Sequence, residues 1–295
     1  MLMADVIAPS WDLLADLQLL FALHFMRNAY LAGTLVAIAA GLMGYFMVLR
    51  AESFAGHSLA NVGFAGAAGA ALVGLPALAG LFTAGILAAL GIHLLGRSRQ
   101  RNDVAVGAVF TAALALGYLF IHLATSEYAA NIYNTLFGNI VGISDGDVTV
   151  IAWTCLLIVA ALAVLGRPLL FASLDPDVAA ARGVPVRWLA LAYLILLALL
   201  VAVAVQIVGV LLIFALLVTP AAIGQQLSAR PAVALALAVA LALIFVWLGL
   251  AVAYFTPYPA GFYITTLAFA TYAAVRVSRL LPQRIRALAA WRGAA

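Results

Sequence analysis

The sequence contains no lysine: all 14 of its basic residues are arginine. Without lysine there is no GxxxxGK[ST] phosphate-binding loop and no Schiff-base amine, so this chain does not bind ATP by that route. Cysteine is limited to Cys155, inside the apolar run VIAWTCLLIVAALAVLG. A single cysteine excludes an internal disulfide and a cysteine metal cluster, which leaves Cys155 as a small packing residue. The apolar runs hold no aspartate or glutamate. Paired carboxylates for intramembrane proteolysis are therefore missing, and serines such as Ser58 have only histidines on other segments as candidate bases. Proton or sodium coupling usually leaves buried carboxylates in a membrane, so a secondary transporter is disfavoured as well. Charge of either sign is scarce, at 8% of residues against about 25% in a soluble domain.

Hydrocarbon fills the chain instead. Of 295 residues, 68% are hydrophobic, and the mean hydropathy is +1.22. Several runs reach the roughly 20 residues that cross a bilayer as a helix, and they lack the alternation of a membrane barrel strand. The expected fold is an all-α polytopic membrane protein of about nine transmembrane helices. The spans lie near 27 to 49, 56 to 74, 76 to 96, 104 to 124, 148 to 166, 188 to 206, 207 to 228, 232 to 254 and 260 to 280. The sixth and seventh form one apolar run, split near Gln206 and Gly209 because about 40 residues is too long for one crossing. The start, MLMADVIAPSWDLLADL, is acidic where a cleavable signal would be basic, so the first residues are expected to remain on the chain.

Nine alternating crossings place Arg50, Arg97, Arg99, Arg101, Arg167, Arg182, Arg187, Arg230 and the tail arginines on one side, with only Arg27 opposite. By the positive-inside rule that side is cytoplasmic, with the N-terminus outside and the C-terminus inside. The net charge of +4 is then a mark of topology and not of a nucleic-acid partner. The segment GRPLLFASLDPDVAAARGVPVRWLA is the longest cytoplasmic loop. Within it, Asp175 as N-cap, Pro176 at the first helical position and Gly183 as the stop predict a short surface helix that a partner could engage. The outer segment TSEYAANIYNTLFGNIVGISDGDV is too polar to span and rich in aromatics, and is expected to fold back on the outer mouth.

Two polar residues break the second span. His57 and Asn61 stand four apart, on one helical face and about 6 Å along it. Imidazole nitrogen and amide oxygen both ligate divalent cations, and few ligands permit release; the competing reading is a histidine at headgroup level or bonded to a neighbouring helix. Glycines and alanines around the pair, Gly63, Gly66, Ala67 and Ala70 among them, predict a closely packed second span, whereas leucine-rich spans are expected to face lipid. His93, a turn before GRSRQR, reads as interfacial, His122 as near the outer end of its span, and His24 as exposed or interfacial. Pro220, in LLVTPAAIGQQLSARP, predicts a kink that serves as a static feature or a hinge.

The segments FMRNAYLAGTLVAIAAGLMGYFMVLRAESF, LFGNIVGISDGDV, LDPDVAAARGVPV and GVLLIFALLVTPAAIGQQL, in this order and followed by the final span, resemble the permease subunits of zinc/manganese ABC importers. The resemblance implies a type II ABC-importer-like permease in the bacterial inner membrane, forming a homodimer with cytoplasmic ATPase subunits and an external metal-binding protein. It implies a periplasmic or interfacial segment 1–26, a permease domain 27–281 with a coupling loop 167–187, and a cytoplasmic tail 282–295. ATP would be bound by the partner, with no cofactor in this chain. In the loop, Asp175, Pro176, Asp177, Ala180, Arg182 and Gly183 look like the coupling helix that receives ATPase movement. The family carries Gly-Asp-x-x-x-His in the second span; here His57 stands at the aspartate position and Asn61 at the histidine position. The expectation is import of zinc or manganese along a path lined by His57 and Asn61, with a metal-chelate permease or an ATP-independent channel or secondary transporter as alternatives.

Overall fold

The computed structural model of the chain describes residues 22–96, 99–123, 138, 142–210 and 213–292. Among these residues all regular structure is helical, in ten helices. They are α1 His24–Leu49, α2 Ser53–Leu72, α3 Ala77–Leu95, α4 Arg99–Leu123, α5 Asp145–Leu174, α6 Pro176–Ala181, α7 Val186–Val208, α8 Ile213–Leu227, α9 Pro231–Tyr254 and α10 Ala260–Arg292. Nine of them coincide with the nine apolar segments; α6 is the additional short one. Seven are long and apolar enough to cross a bilayer. The other two are α8, which has 15 residues, and α2, whose histidine, asparagine and glycines lower its hydropathy.

The long apolar run after Arg187 does divide, and glycine supplies the break. Helix α7 ends at Val208, and Gly209 adopts φ 85° and ψ 159°, a region that is essentially confined to glycine and costs other residues about 1–3 kcal/mol. Gly138, itself at φ 79°, comes against this break: a β-carbon there would lie 2.9 Å from the Gly209 amide nitrogen. The rest of the expected fold-back, 124–137 and 139–141, lies outside the described residues, as does the N-terminal segment 1–21.

Helix α1 packs against α5, α8 and α9, and α7 against α1, α2, α3 and α5. Of these α7 is the most enclosed, with 78% of its apolar window buried. The expectation that leucine-rich spans face lipid therefore fails for α7. Leucine is equally at home against lipid or against helices, and α7 is central because neighbours surround it. Helix α2 packs on α3, α4 and α7, and at its crossing with α3 a β-carbon on Gly66 or Gly80 would run into the other's carbonyl group. Gly66→Val should therefore cost about 1–3 kcal/mol by overpacking. Thermal unfolding in detergent would register it as a lowered Tm, and an unchanged Tm would show that the crossing yields freely.

At the acidic end of the bundle α5 begins with a capping box, in which the Ser144 hydroxyl accepts from the Asp147 amide and the Asp147 carboxylate accepts from the Ser144 amide. Buried Asn28 of α1 donates to the Ile143 carbonyl at 3.3 Å and to Asp145 at 2.8 Å, while His24 contacts Asp145 at 2.8 Å. These contacts tie the first helix to the fifth at that end.

Candidate metal path and coupling surface

His57 and Asn61 sit one and two turns into α2 from the arginine-bearing end. Both are half-buried, and they are brought together. The Asn61 amide nitrogen donates to the His57 carbonyl at 2.9 Å and approaches His57 Nε2 at 3.3 Å. With Nε2 unprotonated, its lone pair is free to accept this N–H. In this state the two side chains satisfy each other. Rotating the amide by half a turn would release Nε2 and turn the Asn61 oxygen the same way, which gives one cation two donors.

The surroundings of the pair were not visible in the sequence. Phe214 of α8 meets the His57 ring edge-on at a centroid distance of 5.6 Å, and Phe110 of α4 lies 6.3 Å away. Phe54 meets Phe110 edge-on in turn. An apolar wall thus stands beside the only two ligand-type side chains of α2. Among the described residues no three histidine, cysteine, aspartate or glutamate side chains converge as a metal site. Within α2, His57 and Asn61 are thus two candidate donors brought side by side.

The short helix predicted in the loop is present as α6. Asp175 is its N-cap and accepts from the Val178 amide at 3.0 Å, Pro176 opens the helix, Arg182 closes it, and Gly183 follows at φ 84°. Capping is local chemistry, so local sequence foretold it. The start of the expected loop, from Arg167, is helical too, because α5 continues through Pro168 to Leu174. On α6, Ala179 is fully buried while Asp177, Val178, Ala180 and Arg182 are exposed. A cavity of about 470 Å³ lies beneath α6, lined by its Pro176, Asp177 and Ala180 and by Arg50, Glu52, His93 and Arg187 among others.

Pro220 is buried within α8, which continues past it, and Gln225 one turn later donates to the Tyr45 carbonyl at 2.8 Å. His93 meets the Trp188 ring at a tilt of 33°, with 5.8 Å between centroids. His122 is exposed near the end of α4, and His24 is exposed at the start of α1. Neither approaches the His57–Asn61 pair in sequence or in the contacts it makes.

Known proteins share this architecture. The chain is 35% identical over 199 residues to the manganese transport system membrane protein MntC of Listeria innocua, covering 67% of this chain and 70% of that one. It is 33% identical over 207 residues to the manganese import system permease protein ScaB of Streptococcus gordonii, covering 70% and 74%. Among solved structures, a chain of PsaBC from Streptococcus pneumoniae in complex with Fab superposes with a TM-score of 0.78 at 30% identity, over 89% of this chain and 94% of that one. Residues 22–278 match the ABC 3 transport family. With nearly the whole helical bundle inside that match, the chain belongs to the ABC 3 transport family.

Proposed function

We propose that this chain is the membrane-spanning subunit of an ATP-driven importer of a divalent transition-metal ion, with manganese as the first candidate. It would cross a bacterial inner membrane nine times, N-terminus outside and C-terminus in the cytoplasm. Two copies would form the path, separate ATPase subunits would engage α6, and an external metal-binding protein would deliver the ion. The observation that carries the reading is the coincidence in one bundle of a half-buried His57–Asn61 pair and a capped surface helix at Pro176–Ala181. The relatives named for manganese, at 33–35% identity, favour that ion.

Two candidate donors from each copy suit a dimer. Two pairs facing across a shared axis would supply two imidazoles and two amides, enough to hold an ion weakly and let it go. ATP binding and hydrolysis would move α6 and tilt the spans, with Pro220 as the hinge of α8, so that the pair faces first one side and then the other. ATP remains the partner's substrate, and the metal ion is cargo.

Zinc is the second reading, for a chemical reason. Imidazole and amide without a carboxylate suit a borderline-soft ion better than a hard one. Competition decides between them: manganese uptake into proteoliposomes is measured with increasing zinc, or with a ferric chelate, outside. If manganese is the cargo, only manganese itself displaces the tracer at stoichiometric levels. Displacement by zinc would reassign the ion, and displacement by the chelate would reassign the class.

A further inference from the structure

Between α1 and α2 the chain turns in three residues, Arg50, Ala51 and Glu52. The Glu52 amide donates to the Met47 carbonyl at 3.0 Å and the Ala51 amide to the Val48 carbonyl at 3.1 Å. This is the paired bonding that ends a helix on a left-handed residue, normally glycine. Here the residue is Ala51, at φ 57°, the one non-glycine with positive φ among the described residues. Strain of this kind persists only where the surroundings hold it.

The surroundings are a largely buried ion pair. Arg50 bonds Glu52 at 2.7 Å, with side chains only 11% and 20% exposed. The Arg50 guanidinium lies 5.2 Å from the centroid of the Tyr193 ring of α7, and the Tyr193 hydroxyl donates to the Met43 carbonyl at 3.4 Å. Burial works against the Arg50 charge, but the hydrogen bond and field of Glu52 outweigh it and hold its pKa above the ordinary arginine value. Arg50 Nε and Glu52 Oε2 are nonetheless buried without a hydrogen-bond partner among the described residues. A buried ion pair is a poor source of stability, since apolar residues of similar size often do as well.

The same two side chains line the cavity beneath α6. Glu52, His93 and Asp177 all reach its wall, but they do not converge as a cation site, and Arg50 and Arg187 share the space. The cavity therefore lies between two elements. On one side stands α6; on the other stands the turn from which α2 starts, with His57 five residues beyond Glu52.

Resting on the permease reading above, we propose that Arg50 and Glu52 are positioning residues that carry the movement of α6 to α2. When α6 closes the cavity, Asp177 supplies the carboxylate that Arg50 Nε lacks. The strained turn then shifts, and α2, a rigid rod from Glu52 onward, displaces His57 and Asn61.

The test uses the full complex with its ATPase and binding protein in proteoliposomes, reading metal uptake and ATP hydrolysis together. Arg50→Met combined with Glu52→Leu removes both charges at little cost in folding. Hydrolysis should stay within about twofold while uptake per ATP falls roughly tenfold, a coupling loss of ordinary allosteric size. Asp177→Asn should lower uptake per ATP in the same direction, with co-purification of the ATPase measured beside it so that a loss of docking at α6 is scored separately. Unchanged uptake per ATP in either variant would overturn the relay as stated. An unsubstituted complex that takes up no metal would overturn the permease reading itself, and the relay with it.

Discussion

Replacing His57 and Asn61 together by alanine is expected to lower ATP-dependent metal uptake by at least about 100-fold, the upper end of what loss of even an outer-shell partner costs a metal site. The two side chains bond to each other and to the α2 backbone, so their removal breaks no hydrogen bond to another helix and gives up only the ring contacts with Phe110 and Phe214. The variant should therefore fold, assemble and hydrolyse ATP, failing only in transport. Isotope uptake beside ATP hydrolysis on the same proteoliposomes separates these outcomes. Near-normal uptake would remove the pair from the path, and the search would move to the aromatic wall of Phe110 and Phe214.

The second large effect is expected at α6. Leu174, the last residue of α5, and Val178 of α6 are 65% and 44% exposed, while the neighbouring Ala179 is fully buried. In a free chain such apolar exposure is unrewarded; in a complex, each side chain would contribute about 1.5–3 kcal/mol when covered. Leu174→Arg with Val178→Arg should thus weaken ATPase association by on the order of 100-fold or more. The permease itself should be unharmed, because both side chains already face outward. Co-purification with a tagged ATPase subunit, set against the permease's own Tm, reads the two effects separately. Equal recovery of the ATPase would mean that it docks elsewhere on the chain.

Much of this arrangement could be foreseen from sequence, because its causes are local. Apolar runs placed nine helices, Gly209 divided the longest run, and Asp175, Pro176 and Gly183 bracketed α6. Spacing alone put His57 and Asn61 on one face. What stayed hidden depended on partners distant in the chain. Phe110 and Phe214 reach His57 from the fourth and eighth helices. Arg50 reads as an ordinary loop charge, since nothing local announces that the ring of Tyr193, more than 140 residues later, lies against it. The burial of α7 was hidden for another reason: a leucine-rich run looks the same whether lipid or protein surrounds it.

The central claim, ATP-driven metal import through this chain, is tested most directly by manganese accumulation in proteoliposomes holding the permease and its ATPase, with the metal-loaded binding protein outside and ATP inside. The account predicts accumulation against a gradient that requires both ATP hydrolysis and the binding protein. Equal uptake without the ATPase would contradict it and identify a channel or secondary transporter instead.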